Sequence, residues 1–534
     1  MLTMDEEDND TLRLHLWYQR REPAHQLFWR PSHGLSPTRR IRCDVLVIGA
    51  GPAGLTSAWL LHQLGYEVLV LEHEPTIGGA TRTEQWQGAV VPCGALYIGE
   101  ISPLLEELLR QLQLQLLPLP VDALALNGCI YPRFWDASVL CELPLARHER
   151  DALRRFREKI PMLPAPPYPL PEQPWTWLAA QTAAEFVRPY GSAFLLRLLS
   201  AYTRSTMGAP AELVSAYCLR DFLGDELAGE RRRFSLPGGL ATFCHRLADK
   251  LGRERIWCPA TAFHSEHCAT GNVRTLCQSP DGDIVAIEAA AVVFAGPKFL
   301  AKHLFPELPP AHRQAILRLR YAPYLTVHVH TPFRLVPENT FEVWLPEARL
   351  VTDIADVTAL QPQPIEGFLS CLYVPLSAQQ RGLLLEEASV RQLVAAAVRE
   401  ALQQLLPAQA AASIECTCFV WGHGLVIPTP EALCGAAQQA RRPVGRIVFA
   451  NTDNDASPAF ENALEHALRA AETVHKFLRP HSWHPSLRRR FQLEPALPDN
   501  ADPLQPMDRA LPDRRTAPPA VAPPVYLPAP PDKR

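Results

Sequence analysis

Residues 49–54 read GAGPAG, which places Gly49, Gly51 and Gly54 in G-x-G-x-x-G spacing. An apolar run, 45–48, leads into them, and Pro52 opens a segment with leucines at helical intervals. In such a strand–turn–helix the first glycine permits the tight turn. The second lets backbone approach a pyrophosphate, and the third lets the helix pack closely on the strand. Pro52 and Ala53 then fall in the first helical turn, where free N–H groups and the positive end of the helix dipole face a phosphate. The next apolar run, YEVLVLE, ends at Glu72. A carboxylate at that distance can accept hydrogen bonds from both hydroxyls of a ribose. This context predicts a dinucleotide site in place of a purely structural turn. A second glycine pair, Gly78 and Gly79, follows closely, with Arg82 and Thr83 after it. A nicotinamide domain does not need that second approach. It suits a longer, buried dinucleotide such as FAD.

The run E-x5-G-G-x-x-R-T, Glu72 to Thr83, resembles the superfamily of flavin-containing amine oxidases, phytoene desaturases and protoporphyrinogen oxidases. Arginine usually follows that family's glycine pair directly; here Ala80 stands there, and Arg82 matches the family's second arginine. FSLPGGLATF (234–243) and VVFAGPKFLAKHLF (292–305) resemble later segments of the family, and GRIVFANTDNDASPAFENALEHALRAAETV (445–474) resembles its closing motif. The resemblance implies FAD, with an acid, Asp453 or Asp455, near the ribityl chain. Asn451 stands where the family has glycine, and a helix beginning at Phe460, Glu461, Asn462 and Ala463 faces the isoalloxazine. A helix N-terminus at the N1/C2=O edge stabilises anionic reduced flavin and favours hydride acceptance. Members with covalent flavin use a cysteine near this motif. The nearest here, Cys434, is distant, so FAD is expected to bind non-covalently.

For the substrate side the resemblance gives three catalytic candidates, Trp421, His328 and Tyr97. Trp421 and His423 lie in FVWGHGLVIPTPE (419–431), and Tyr97 lies in the CGALYIG loop (93–99) expected under the isoalloxazine. Many amine oxidases carry a lysine on a substrate-domain strand. The matching LTVHVHTPFRL (325–335) has none, but as a strand it points His328 and His330 the same way, for a proton relay or for packing. Two histidines without a third ligand make no metal site. Trp175 and Trp177 either rim an entrance or pack.

Elements must position these groups, and the pattern predicts an α/β chain: a Rossmann-like FAD-binding domain with an inserted α+β substrate domain. The FAD domain is assigned to 41–150, 234–300 and 441–480, and the substrate domain to 151–233 and 301–440. Residues 1–40 form an extension and 481–534 a proline-rich tail. Periodicity predicts strand–helix–strand over 41–72 and helices over 103–118, 149–160, 178–202, 387–406 and 458–478. It gives a turn then helix over 234–251, a strand pair over 284–296, and strands over 323–333, 367–375 and 445–450. Seven prolines within 161–174 predict a loop, and twelve between 495 and 531 predict a disordered tail with a PxxP-like stretch that could engage a partner.

Composition narrows the function classes. A length of 534 residues suits two or three structural units. A net charge of −4 gives no electrostatic case for nucleic acid or an anionic membrane. The 13 cysteines contain no CxxC pair and read as reduced, as in a cytoplasmic protein. Residues 45–66 lack formal charge, but their glycines and change of period predict strand–turn–helix and no membrane span. The acidic N-terminus lacks an apolar signal core. The expectation is an FAD-dependent oxidoreductase taking hydride from a C–N or C–C bond of a small organic substrate. Two alternatives stay open. One is a flavoenzyme without net oxidation, an isomerase or a UDP-galactopyranose-mutase-like enzyme, to which NGCIYPRF (127–134) is loosely similar. The other is a non-catalytic FAD-binding subunit whose tail binds a partner.

Overall fold

The computed structural model describes residues 14–17, 36–163, 177–228, 233–406 and 414–480. All of them belong to one compact unit, Met1–Trp483. In chain order the elements that build the site are strand β1 (Arg39–Ile48), helix α1 (Pro52–Gln63), β2 (Val68–Leu71), β3 (Ile284–Phe294), β4 (Arg320–Thr331), β5 (Thr340–Trp344), β6 (Asp353–Asp356), β7 (Phe368–Pro375), helix α2 (Glu387–Leu405), β8 (Ile414–Ile427), β9 (Ile447–Phe449) and helix α3 (Phe460–Leu478).

The first sheet runs Ile256–Trp257, β2, β1, β3, Val273–Gln278, Thr261–His267, with β9 beside the end of β3. Strands β2, β1, β3 and β9 are mutually parallel. Strand β1 is buried at every position from Val45 to Ile48 and alternates before that. Its last residues are therefore covered on both faces, as in a parallel α/β sheet, while its start is a half-covered ladder. Helix α1 starts at Pro52 and Gly65, just past its end, has φ +81°, the left-handed turn that glycine adopts without strain. Helix α3 lies against α1, where Ser57 Oγ comes within 3.4 Å of the Ala467 carbonyl.

The second sheet has the order Leu14–Trp17, β8, β4, β7, β6, β5, Val121–Leu126, Cys129–Pro132. One face packs on α2, with Val327, Leu372 and Ile354 against Val390, Val394 and Val398. The other carries Tyr324, Cys371, Tyr373 and Ala355 and packs on Trp86, Val91 and Leu96, which precede or lie within the 93–99 loop.

Several expectations shift. The 284–296 stretch holds one long strand, Ile284–Phe294, and not a pair. Its first half pairs with Val273–Gln278 and its last residues with β9, because nothing in the stretch turns the chain. The 103–118 helix stops at Leu112, where Gln113 takes φ +54°, and Leu117–Pro118 is a short strand. The 178–202 helix is broken. A short 3-10 turn at Arg188–Tyr190 and Gly191 at φ +66° separate Ala183–Val187 from Ala193–Met207, which Ser192 caps. Within the expected extension, Leu14–Trp17 is a strand parallel to β8. Most of the proline-rich loop, Trp175 and the tail lie outside the described residues. Among those described, no helix is long and apolar enough to cross a membrane.

Candidate active site

The two glycine signatures are built against each other. Gly49 has φ +107° and donates to the Leu71 carbonyl at 2.7 Å, which closes the turn between β1 and α1. A Cβ on Gly54 would sit 1.8 Å from the Gly49 carbonyl oxygen, so the third glycine is obligatory for this packing. Gly78 donates to the Ala50 carbonyl at 2.9 Å, and a Cβ on Gly79 would lie 3.2 Å from the Gly51 Cα. The sequence separates these turns; the fold makes them two lips of one crevice at the N-terminus of α1. Pro52 is half-buried and Ala53 buried in the first turn behind it.

Glu72 ends this crevice at the tip of β2. Its Oε2 accepts from the Ala50 N–H at 2.7 Å and its Oε1 from the Glu74 N–H at 2.8 Å. Burial pushes the carboxyl up, and the two backbone donors pull it back. Each oxygen has accepted one hydrogen bond and keeps a lone pair for a ribose hydroxyl. Arg82 is buried, pairs with Glu74 at 3.2 Å and lies over the Trp421 ring at 5.0 Å. Its Nε is a buried donor with no protein partner. Thr83 follows it, and a Cβ on Gly239 would lie 3.1 Å from Thr83 Cγ2, so the 234–243 segment packs directly on this residue.

The closing segment separates the two candidate acids. Asp453 Oδ2 accepts from the Lys298 N–H at 2.8 Å and from the Tyr321 hydroxyl at 2.6 Å. Asp455 is buried, ion-paired to Arg441 and 3.3 Å from His466 Nε2. Burial opposes its charge, and His466 and Arg441 overcome that to hold its carboxyl down at about 2. Asn451 donates to the Gly296 carbonyl, so its side chain occupies space that a glycine would leave open. Helix α3 has no side-chain cap. Phe460 packs edge-on to Phe243 at 5.3 Å, and Ala463 is buried one turn later. Glu461 accepts from the N–H groups of Gly99 and Glu100 and thereby ties the end of the 93–99 loop to the start of α3.

One face of the second sheet grips the start of the same loop. Thr326 Oγ1 donates to the Cys93 carbonyl at 2.7 Å, Trp421 Nε1 to the same oxygen at 2.8 Å, and His328 Nε2 to the Pro92 carbonyl at 2.6 Å. The Tyr373 hydroxyl reaches the Gly94 carbonyl at 3.5 Å. These side chains come from β4, β7 and β8, so three strands fix three consecutive carbonyls.

The candidates do not converge on one point. Trp421 stands at the loop, between Arg82 and Cys93. His328 is fully buried, and burial lowers its imidazole to about 4. With Nε2 donating to the Pro92 carbonyl it clamps the loop, and His330 makes the equivalent bond to the Glu366 carbonyl at 2.6 Å. Tyr97 packs edge-on to Phe341 at 6.1 Å, under the Arg233 guanidinium at 4.9 Å. His423 is exposed and packs on Phe299 at 4.4 Å, and Trp177 is 62% exposed. Sequence reasoning missed Thr326, Tyr373 and the loop-tying role of Glu461. Period-two alternation marks Thr326 on the His328 face, and nothing local marks Tyr373.

Comparison with known proteins agrees with this geometry. Residues 52–475 match the family described as flavin containing amine oxidoreductase. Among curated proteins, amine oxidase [flavin-containing] B of Cavia porcellus is 39% identical over 75 residues, 14% of each chain. Inactive all-trans-retinol 13,14-reductase of Danio rerio is 45% identical over 58 residues, 11% of this chain and 10% of that one. These matches thus span a small part of either relative. Among solved structures, a putrescine oxidase double mutant superposes with TM-score 0.66 at 20% identity, covering 82% of this chain and 99% of that one. Cyclohexylamine oxidase from Brevibacterium oxydans IH-35A gives 0.64 at 22% identity, covering 82% and 99%. The likeness in fold is that of two-domain flavin amine oxidases, and with the match over 52–475 the chain belongs to the flavin-containing amine oxidoreductase family.

Proposed function

We propose that this protein binds FAD non-covalently and oxidises the C–N bond of an amine. The residues present fit the cofactor on three counts: the crevice between Gly51 and Gly79, which a side chain would fill; the unpartnered Arg82 Nε; and the uncapped start of α3. In this reading Gly49, Gly51, Pro52, Ala53, Gly54, Gly78 and Gly79 receive the pyrophosphate. Glu72 holds the ribose, Arg82 and Thr83 lie along the dinucleotide, and Asp453, Phe460 and Ala463 border its far end. Bound FAD supplies the hydride acceptor. The chain supplies position and exclusion of water.

The observation that favours an amine is the aromatic face at the 93–99 loop. Phe419 lies opposite Thr326, Trp421 opposite Tyr324, and Tyr324 and Tyr373 meet edge-on at 6.0 Å. Electron-rich ring faces attract an ammonium group as it leaves water, by about 0.5–2 kcal/mol per ring. The clamps from Thr326, Trp421, His328 and Tyr373 hold the loop still, so a substrate lodged on these rings keeps one orientation.

The visible spectrum of the purified protein tests the cofactor. Flavin bands, with the flavin released on denaturation, are expected. Colourless protein that takes up no added FAD would overturn the assignment, and flavin that stays attached would overturn the non-covalent part. Anaerobic mixing then tests the bond: amines should bleach the flavin, whereas bleaching by polyenes alone would move the reaction to C–C bonds.

A further inference from the structure

Lys298 is the first residue of the helix Lys298–Leu304, just past the end of β3, and it is 0% exposed. A buried ammonium is costly unless its surroundings supply partners. Here the partners come from the closing turn, 451–454. Lys298 Nζ donates to Asn451 Oδ1 at 3.2 Å and to Asn454 Oδ1, and its backbone N–H donates to Asp453 Oδ2 at 2.8 Å. The Phe449 ring centroid lies 4.7 Å from Nζ. Asn451 and Asn454 in turn donate to the carbonyls of Gly296 and Phe449. One residue therefore holds three of the four residues 451–454 by their side chains.

This cluster stands directly behind the glycine crevice. The Ala295 N–H donates to the Ile48 carbonyl at 2.8 Å, and the Ala450 N–H donates to the Phe294 carbonyl at 2.9 Å. A Cβ on Gly49 would lie 3.3 Å from the Ala295 carbonyl carbon. The turn after β3 thus joins the first glycine turn to the closing turn, and Asn451, where the family has glycine, is bonded across to it. The charges around Lys298 come from several elements. Burial and Arg441 disfavour the ammonium, Asp453 and Asp455 favour it, and burial prevails, bringing the amine down to about 7. His312, from the helix Pro310–Arg318, packs on the same Phe449 ring at 5.2 Å, and burial and Lys298 lower it to about 4. Tyr321, from β4, is pushed up by burial and by the Asp453 it donates to. From α3, His466 and Arg469 act on Asp455, and Lys302 and His303 lie on the helix of Lys298 itself.

We propose that Lys298 is a positioning residue for the cofactor: its ammonium pins the closing turn to the turn behind the glycine crevice, and FAD is held most tightly while that pin is charged. This rests on the FAD assignment above. The ammonium makes charge-assisted bonds to both amide oxygens and a cation–π contact with Phe449; the neutral amine makes weaker bonds and loses the contact. FAD is itself an anion, and an anion favours the charged form of a nearby lysine. The loaded protein therefore keeps the Lys298 proton to a higher pH than the empty protein does. By linkage, the extra affinity is fully present below the empty protein's value, about 7, and is lost as the pH rises through it.

The test dilutes FAD-loaded, full-length protein to equilibrium between pH 6 and 9 and reads released FAD by its fluorescence, with the fold checked by circular dichroism at each pH. The wild-type dissociation constant should be level below about pH 7 and rise about tenfold above it, the change produced by a one-unit difference in the lysine pKa between loaded and empty protein. Lys298→Met, which keeps a buried stem and removes the charge, should bind FAD about tenfold more weakly at pH 6 and show no rise. If that variant does not fold, the wild-type profile decides. A wild-type constant that ignores pH, or falls as pH rises, would overturn the proposal and leave FAD binding standing. So would a rise that survives Lys298→Met, which would assign the titration to another group such as His466. Wild-type protein that takes up no FAD at any pH would overturn the FAD assignment and this inference with it.

Discussion

Removing the Asp353 charge should make the unliganded protein more stable. Burial raises the carboxyl from its ordinary 3.8 to about 6, and Glu342 holds a proton still more strongly than its usual value because it too is desolvated beside Asp353. Below about pH 4 the Asp353 carboxyl is protonated in both folded and unfolded chains and costs nothing. As the pH rises through 4 to 6, the unfolded carboxyl ionises while the folded one resists. Stability is lost over that window, and above about pH 6 the loss is constant. Two pH units correspond to about 3 kcal/mol. With an unfolding entropy of about 2.1 cal/mol/K per residue over roughly 450 residues, that shifts the melting temperature by about 3 °C. The assay is thermal unfolding of flavin-loaded wild type and Asp353→Asn, without amine, between pH 4.5 and 7.5. The variant should melt about 3 °C higher at pH 7.5, with the gap shrinking towards pH 4.5. A variant that melts lower throughout, or a gap that ignores pH, would refute the cost assigned to burying this carboxylate.

Three further outcomes are expected. Glu72→Ala should weaken FAD retention by roughly 10- to 100-fold, the value of hydrogen bonds to a charged acceptor, read as flavin content after gel filtration; unchanged content would contradict the ribose assignment. Gly54→Ala must move the Gly49 carbonyl, so it should abolish flavin uptake, and full uptake would show that the turn yields more than its packing implies. Thr326→Val strips a donor from the buried Cys93 carbonyl, which Trp421 still serves; a loss of about 1 kcal/mol in stability is expected, with Trp421→Phe similar alone and the double variant worse than the sum.

The dinucleotide half of the site was legible because its chemistry is local. A glycine turn, a helix start and a carboxylate at the next strand end lie within a few dozen residues, and each has a steric or electrostatic reason to be there. What the sequence did not display was contact between distant turns, such as Gly79 against the Gly51 Cα. Other misses were legible in principle. Pro189 and Gly191 stand inside the run read as one helix, and no turn residue interrupts IVAIEAAAVVF, read as two strands. The buried acids are different. DIAD (353–356) looks like a polar surface stretch, yet all four residues are buried. Strand order alone puts Asp353 beside Tyr373, and strand order is a property of the whole chain.

The pH dependence of the stability penalty identifies which buried group carries it. The groups that face Asp353 come from every neighbouring element: Glu342 from β5, Asp122 from the adjoining strand, Arg233 before the glycine pair, Glu226 and Arg204 from two helices, and Tyr324, Cys371 and Tyr373 from β4 and β7. Burial raises the tyrosines and Cys371 above their ordinary values, so they stay neutral near pH 6, and the arginines stay charged. Burial and the neighbouring Asp353 charge raise Glu342 above its ordinary value as well. The two carboxyls therefore titrate as a pair, and the stability loss belongs to the pair. Asp353→Asn should then remove most of the loss that opens between about pH 4 and 6 in the flavin-loaded protein. If the loss persisted in that variant, Glu342 and not Asp353 would be the group whose burial costs stability.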